Sequence, residues 1–172
     1  MNEPRVSSFS AVARPDARLL ILGTMPGIAS LEQAEYYAHP RNLFWDLMGE
    51  MVGFSRDIDY QQRLEMLAEA GLALWDVLAS CRRKGSLDSS IETDTVITND
   101  FATLFRQCTE IQCLFFNGQP AANLYRRFVL RDLSPEHQAI PRVTLPSTSP
   151  ANASWSLERK REAWQQIKTF IR

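Results

Sequence analysis

The residues best placed to do chemistry in this chain of 172 amino acids are not its charged ones. They lie in four short strings: Gly23-Thr-Met-Pro-Gly27, Trp75-Asp76, Asn117-Gly-Gln119 and Pro146-Ser-Thr-Ser-Pro-Ala-Asn152. Glycine and proline let a backbone approach a ligand closely. The hydroxyls of Ser147, Thr148 and Ser149, with exposed backbone N–H groups, can hold phosphate without net positive charge.

That grip matters because the chain has no general attraction for a polyanion: 19 Lys and Arg nearly balance 20 Asp and Glu. Three cysteines, Cys81, Cys108 and Cys113, form no C-x-x-C pair, and only two histidines, His39 and His137, are present. A disulfide framework, a structural zinc site, an iron-sulfur cluster and any mechanism built on several imidazoles are therefore excluded, and neither metal nor cofactor is expected. Neither G-x-G-x-x-G nor a P-loop occurs, which counts against a nucleotide-binding protein of the common kinds.

The elements that must carry these strings can be read from apolar spacing. Arg18–Gly23, Leu72–Val77, Ile111–Phe116 and Val143–Leu145 read as strands, the first a continuous apolar run of the kind buried on both faces. Helical spacing covers Asn42–Met51, Tyr60–Ala70, Pro120–Leu130 and Leu157–Ile171, and Asn99 or Asp100 caps a further helix holding Phe101, Leu104 and Phe105. Residues 30–37 read as a loop or short helical turn, and 88–91 and 95–99 as polar connections. Strands alternating with helices predict an α/β fold: a three-layer sandwich with a central four-stranded, mainly parallel sheet flanked by helices. In such folds ligands sit beyond the carboxyl ends of the strands, where all four strings would meet.

The length and the 45% apolar content suit one domain spanning 1–172, with residues 1–15 a loosely ordered leader. No apolar run is long enough to span a bilayer and no secretion signal is visible, so a cytoplasmic monomer with no membrane partner is expected. Arg82-Arg-Lys84, Arg126-Arg127 and Arg159-Lys-Arg161 read as solvated surface, and Cys81 as a small buried residue.

Three strings also carry a resemblance. Gly23–Gly27, then Tyr36-Tyr-Ala-His-Pro-Arg-Asn-Leu-Phe-Trp45, then Leu145-Pro-Ser-Thr-Ser-Pro-Ala-Asn152 resemble, in order, the motifs of the uracil-DNA glycosylase superfamily. The likeness is greatest to its hypoxanthine (deoxyinosine) branch, with the mismatch-specific uracil-DNA glycosylases as the nearest relatives. It implies base excision repair: a deaminated base is flipped out of DNA and its N-glycosidic bond hydrolysed, with hypoxanthine the expected base. Uracil excision and non-catalytic binding of damaged DNA are the alternatives.

By the same resemblance, Thr24, Met25, Pro26 and Gly27 lie against the flipped nucleotide and Tyr37 stacks on its base. Ser147 and its neighbours Thr148, Ser149 and Asn152 grip the DNA backbone and push into the vacated stack, and Asn42 is the catalytic group. Two positions depart from better-known branches: Met25 stands where an Asp or Asn orients water, and Leu145 where a His stabilises the departing base.

Leaving as an anion, the base needs hydrogen-bond donors aimed at it, each contributing on the order of 3 kcal/mol. Asn42 suits that role, or could accept from water and orient it. Asp76 could accept from the ring N–H that hypoxanthine and uracil present, and Asn117 is expected beside it. Each has a plainer reading: Asn42 as a helix cap, Tyr37 as packing, Asp76 as a turn cap, Ser147–Ser149 as a turn. His39 reads as structural.

Overall fold

The structure is a computed structural model in which residues 3–172 are described. Its central sheet contains β2 (Leu19–Gly23), β3 (Leu72–Asp76), β6 (Cys113–Asn117) and β7 (Arg142–Leu145), in the order β3-β2-β6-β7 and parallel throughout. Side chains alternate across a strand, so each strand feeds two cores. Leu20, Leu22, Ala73, Leu114 and Phe116 face one side, where they meet α4 (Phe101–Gln107) and α5 (Gln119–Phe128). Leu19, Ile21, Leu72, Leu74 and Phe115 face the other, against α2 (Phe44–Val52), α3 (Tyr60–Glu69) and α7 (Leu157–Trp164). The expected three layers follow directly from this alternation.

Helix ends are set by the residue types expected to set them. Asp59 accepts from the Gln61 N–H to open α3, Asp100 from Thr103 to open α4, and Ser156 from Arg159 to open α7. Gly53 ends α2 at φ 98°, a left-handed conformation that disfavours any side chain. Residues 28–33 form a short helix, α1 (Ile28–Gln33), and α6 (Pro135–Gln138) is a single turn. The terminal helix is shorter than its spacing predicts, giving way to a 3-10 turn over Gln165–Phe170.

A second sheet departs from the sequence reading. β1 (Arg5–Ser7), β4 (Leu78–Arg83) and β5 (Ile91–Thr98) form an antiparallel sheet in the order β1-β4-β5. Part of the expected loose leader is thus paired, and Val12 makes a further bridge to Leu74. Residues 1 and 2, also in that leader, lie outside the described residues. The stretches expected as polar connections belong to the β4–β5 hairpin. The pairing of β4 with β5 shifts register twice, which breaks the period-two alternation that would have revealed them. Asn99 joins the two sheets: its Nδ2 donates to the carbonyls of Asp76 and Leu78. Among the described residues no helix is long and apolar enough to cross a membrane.

Candidate active site

The four loops converge as the topology requires. They enclose a cavity of about 340 Å³ at the carboxyl end of the sheet, lined by Gly23–Ser30, Tyr36, Tyr37, His39, Asn42, Asp76, Ser86–Asp88, Asn117 and Ser147–Ala151. That volume falls in the range of small-ligand pockets, about 300–1,000 Å³. Distant segments are tied together at its wall: Leu43 N–H donates to the Thr148 carbonyl, joining the Asn42 string to the last loop at 3.1 Å.

The floor is built from Gly23 and Asp76, which are register partners in β2 and β3. A Cβ on Gly23 would lie 2.5 Å from Asp76 Oδ1 and 3.0 Å from the Tyr37 hydroxyl, so glycine is required there by close approach. Asp76 is 3% exposed, and its Oδ2 has no hydrogen-bond partner; the Tyr37 hydroxyl is likewise buried and unpartnered. Desolvation, followed by the nearby Asp88 carboxylate, pushes the Asp76 carboxyl from its ordinary 3.8 up to about 7, against an opposing pull from Arg83. Burial, with Asp76 close by, also drives the Tyr37 phenol upward, so it stays a neutral hydroxyl. Buried polar groups without partners are uncommon, and two on one cavity floor point to a ligand that completes them.

Asn42 lies one residue ahead of Leu43, which occupies the cap position of α2, so it is not the helix cap that its place in the sequence suggests. Its Oδ1 accepts from the Phe44 N–H at 3.0 Å, closing a side-chain turn that leads the backbone into α2. A backbone N–H needs an acceptor, so this bond fixes which end of the amide is oxygen. The amide NH2 is left as the end that Asn42 can offer to the cavity it lines.

Tyr37 packs its ring on Phe44, with centroids 4.0 Å apart and planes 25° apart, yet remains half-buried at the cavity wall. It holds a left-handed backbone at φ 54°, unusual for a residue with a bulky side chain. Its neighbour Tyr36 is anchored more deeply: Trp45 Nε1 donates to the Tyr36 carbonyl and the Tyr36 hydroxyl to the Ser10 carbonyl. His39 Nδ1 accepts from the Arg41 N–H, as a structural histidine would.

Not every residue expected at the site is available to a ligand. Thr148 is fully buried; its Oγ1 accepts from Asn117 Nδ2 and its N–H donates to Asn117 Oδ1, so its hydroxyl cannot meet a phosphate. This pair clamps the last loop onto β6, and Asn117 contributes to the cavity mainly as that clamp. Met25 is 7% exposed and joins the core packed against α4 and α5. Asn152 lies outside the cavity; its amide donates to the Ser147 carbonyl and accepts from Ser154, holding the loop's shape. Leu145 is a core residue at 1% exposure. Ser147 and Ser149 do line the cavity.

The sequence reading missed one wall altogether. The tip of the β4–β5 hairpin contributes Ser86, Leu87 and Asp88. Arg83, expected on the solvated surface, is instead 2% exposed and donates to the carbonyls of Gly85, Met25 and Pro26, fastening the tip to the first loop. Ser86 Oγ accepts from the Ile28 N–H beside it. Burial raises the Asp88 carboxyl, while Thr24 and Arg83 pull it back down. The Thr95-Val-Ile-Thr98 run, rich in β-branched residues, was the available signal for this hairpin.

Comparison with known proteins fits this geometry. The family model described as the uracil DNA glycosylase superfamily matches residues 10–168. The chain belongs to the uracil DNA glycosylase superfamily. Its enzyme class follows: a DNA glycosylase, a hydrolase that cuts N-glycosyl bonds. A protein named hypoxanthine DNA glycosylase from Methanosarcina acetivorans is 33% identical over 160 residues, covering 92% of this chain and 95% of the relative. One of the same name from Methanosarcina barkeri is 32% identical over 159 residues, covering 92% and 94%. The solution NMR structure of a Methanosarcina acetivorans protein, named provisionally as a uracil DNA glycosylase, superposes with a TM-score of 0.80 at 30% identity, covering 97% of this chain and 99% of that one.

Proposed function

We propose that this enzyme excises hypoxanthine from deoxyinosine in DNA. The observation that carries the reading is the pairing of opposite hydrogen-bonding characters across one cavity: an amide donor at Asn42 and a buried, unpartnered carboxyl oxygen at Asp76. Hypoxanthine presents a ring N–H that an ionised Asp76 accepts, and adenine has no such hydrogen at the same ring position. The names of the two Methanosarcina relatives point the same way.

Cleavage breaks the bond between the sugar C1′ and the base nitrogen, and the bond's electron pair leaves with the base. Water adds its oxygen to C1′ and releases a proton, and the base ends neutral once it takes one up. The site has to stabilise an anionic base and exclude bulk solvent rather than donate a proton early. Asn42 Nδ2 donates to the developing anion, Asp76 orients the base through its N–H, and Tyr37 supplies a wall against which the ring rests. Ser147, Ser149 and nearby backbone N–H groups receive the flanking phosphates. A mispaired base costs less to extrude than a well-paired one, so flipping itself favours damage.

Labelled duplexes carrying one deoxyinosine, deoxyuridine or deoxyxanthosine, incubated with the protein and then treated with alkali, test the reading. Strand scission is expected at deoxyinosine. Asn42→Ala should slow it at least tenfold, about 1.4 kcal/mol of barrier. Scission confined to deoxyuridine would transfer the assignment to uracil, and no scission at any of the three would overturn it.

A further inference from the structure

Extruding a base leaves a gap in the stack, and an apolar side chain pushed into that gap keeps the base from returning. The Ser147–Asn152 loop offers little for this purpose: its side chains are serines, a buried threonine, a proline, an alanine and an asparagine engaged in the loop itself. Four large apolar side chains are substantially exposed among the described residues: Ile28, Leu87, Ile97 and Leu157. A scattered exposed leucine needs no explanation. Two of these four, however, sit together at the mouth of one cavity.

Leu87 is 55% exposed at the tip of the β4–β5 hairpin. It lines both the base-sized cavity and a second, open depression of about 530 Å³ that runs past Gly118–Pro120 to Asn152 and Trp155. It therefore stands on the ridge between the two. The ridge is held from below by the three Arg83 bonds to Gly85, Met25 and Pro26, and from the side by the Ser86 bond to Ile28. Ser90 N–H donates to the Leu87 carbonyl and closes the turn. Lys84, exposed three residues earlier, puts on the same hairpin a positive charge that a phosphate can meet.

We propose that Leu87, backed by Ile28, is the wedge that enters the duplex and fills the place of the flipped base. The inference rests on the DNA glycosylase reading, whose last loop would then hold backbone without entering the stack. A wedge is needed only where a stack must be opened, so its removal acts on duplex far more than on single strands.

Single-turnover excision of deoxyinosine from a dI·dC duplex and from the corresponding single strand measures this directly. Leu87→Ala should lower the duplex-to-single-strand rate ratio at least tenfold, and Leu87→Phe should restore it to within about threefold. Ile97→Ala, an equally exposed apolar residue away from both cavities, should leave the ratio unchanged. An unchanged ratio in Leu87→Ala, or the same loss in Ile97→Ala, overturns the proposal. A second arm needs no catalysis: 2-aminopurine beside a non-cleavable tetrahydrofuran site should change fluorescence when the wild type binds and change much less with Leu87→Ala. Equal changes refute the wedge even if the wild type proves inactive on deoxyinosine, a result that would refute only the base assignment.

Discussion

Replacing Asp76 by asparagine should make this protein more stable above neutral pH and worse at its reaction. The carboxyl titrates near 3.8 in an unfolded chain and is pushed up to about 7 by desolvation and by Asp88 in the folded one. Between those values the native state holds a proton that the unfolded state has released, so native stability falls as pH rises. A displacement of about three pH units at about 1.4 kcal/mol each amounts to about 4 kcal/mol, fully lost above pH 7 and fully retained below pH 4. The carboxamide of Asp76→Asn does not titrate. Urea denaturation of both proteins at pH 4, 6 and 8 should show the variant's advantage growing by about 4 kcal/mol across the series, whatever constant offset the new amide brings. Carboxylates other than Asp88, which is coupled to Asp76, are common to both chains and cancel, and the Asp76→Asn/Asp88→Asn pair measures that coupling. Deoxyinosine excision at pH 8 should drop at least tenfold, because the amide loses the anionic acceptor for the base N–H. Stability curves that stay parallel with pH would show that Asp76 is not a strained, buried acid, and the account of the cavity floor would fail.

Other substitutions separate roles that the geometry superposes. Asn42→Asp keeps an oxygen for the Phe44 N–H but removes the amide donor, so denaturation midpoints should hold near wild type while excision falls at least tenfold; equal activity would leave Asn42 a turn residue and nothing more. Gly23→Ala forces a methyl to within 2.5 Å of Asp76 Oδ1, and excision should become undetectable in the alkali assay; retained activity would mean the floor yields. Arg83→Met strands three carbonyls, two of them in the first loop, and should cost about 3 kcal/mol in urea denaturation. A cost below about 0.5 kcal/mol, the range of ordinary surface changes, would mean that the hairpin is held by something else.

The central sheet was legible because a strand buried on both faces must be apolar throughout, and Leu19–Gly23 and the run Cys113-Leu-Phe-Phe116 leave little choice. Loop convergence then followed from parallel topology. The second sheet was hidden for the opposite reason. β4 and β5 carry Arg82, Arg83, Glu92 and Asp94, and register shifts scatter their pattern between the two faces. Arg83 could not have been told from its neighbour Arg82 by composition; only the carbonyls brought to it from 57 and 58 residues away make it a buried tie. Thr148 and Ser147 are adjacent and chemically alike, yet one is sealed by Asn117 and the other faces the cavity, a difference set by tertiary contacts alone.

The Arg83 clasp makes one sheet the keeper of the other's opening. Because the lip at Ser86–Asp88 hangs from a separate ribbon, a lineage could lengthen, shorten or rewrite that lip without disturbing the eight-residue strand that leads away from it or the parallel scaffold beneath. Divergence among kindred enzymes in which lesions they tolerate would then accumulate at this overhang, reaching the pit below through the charge of Asp88.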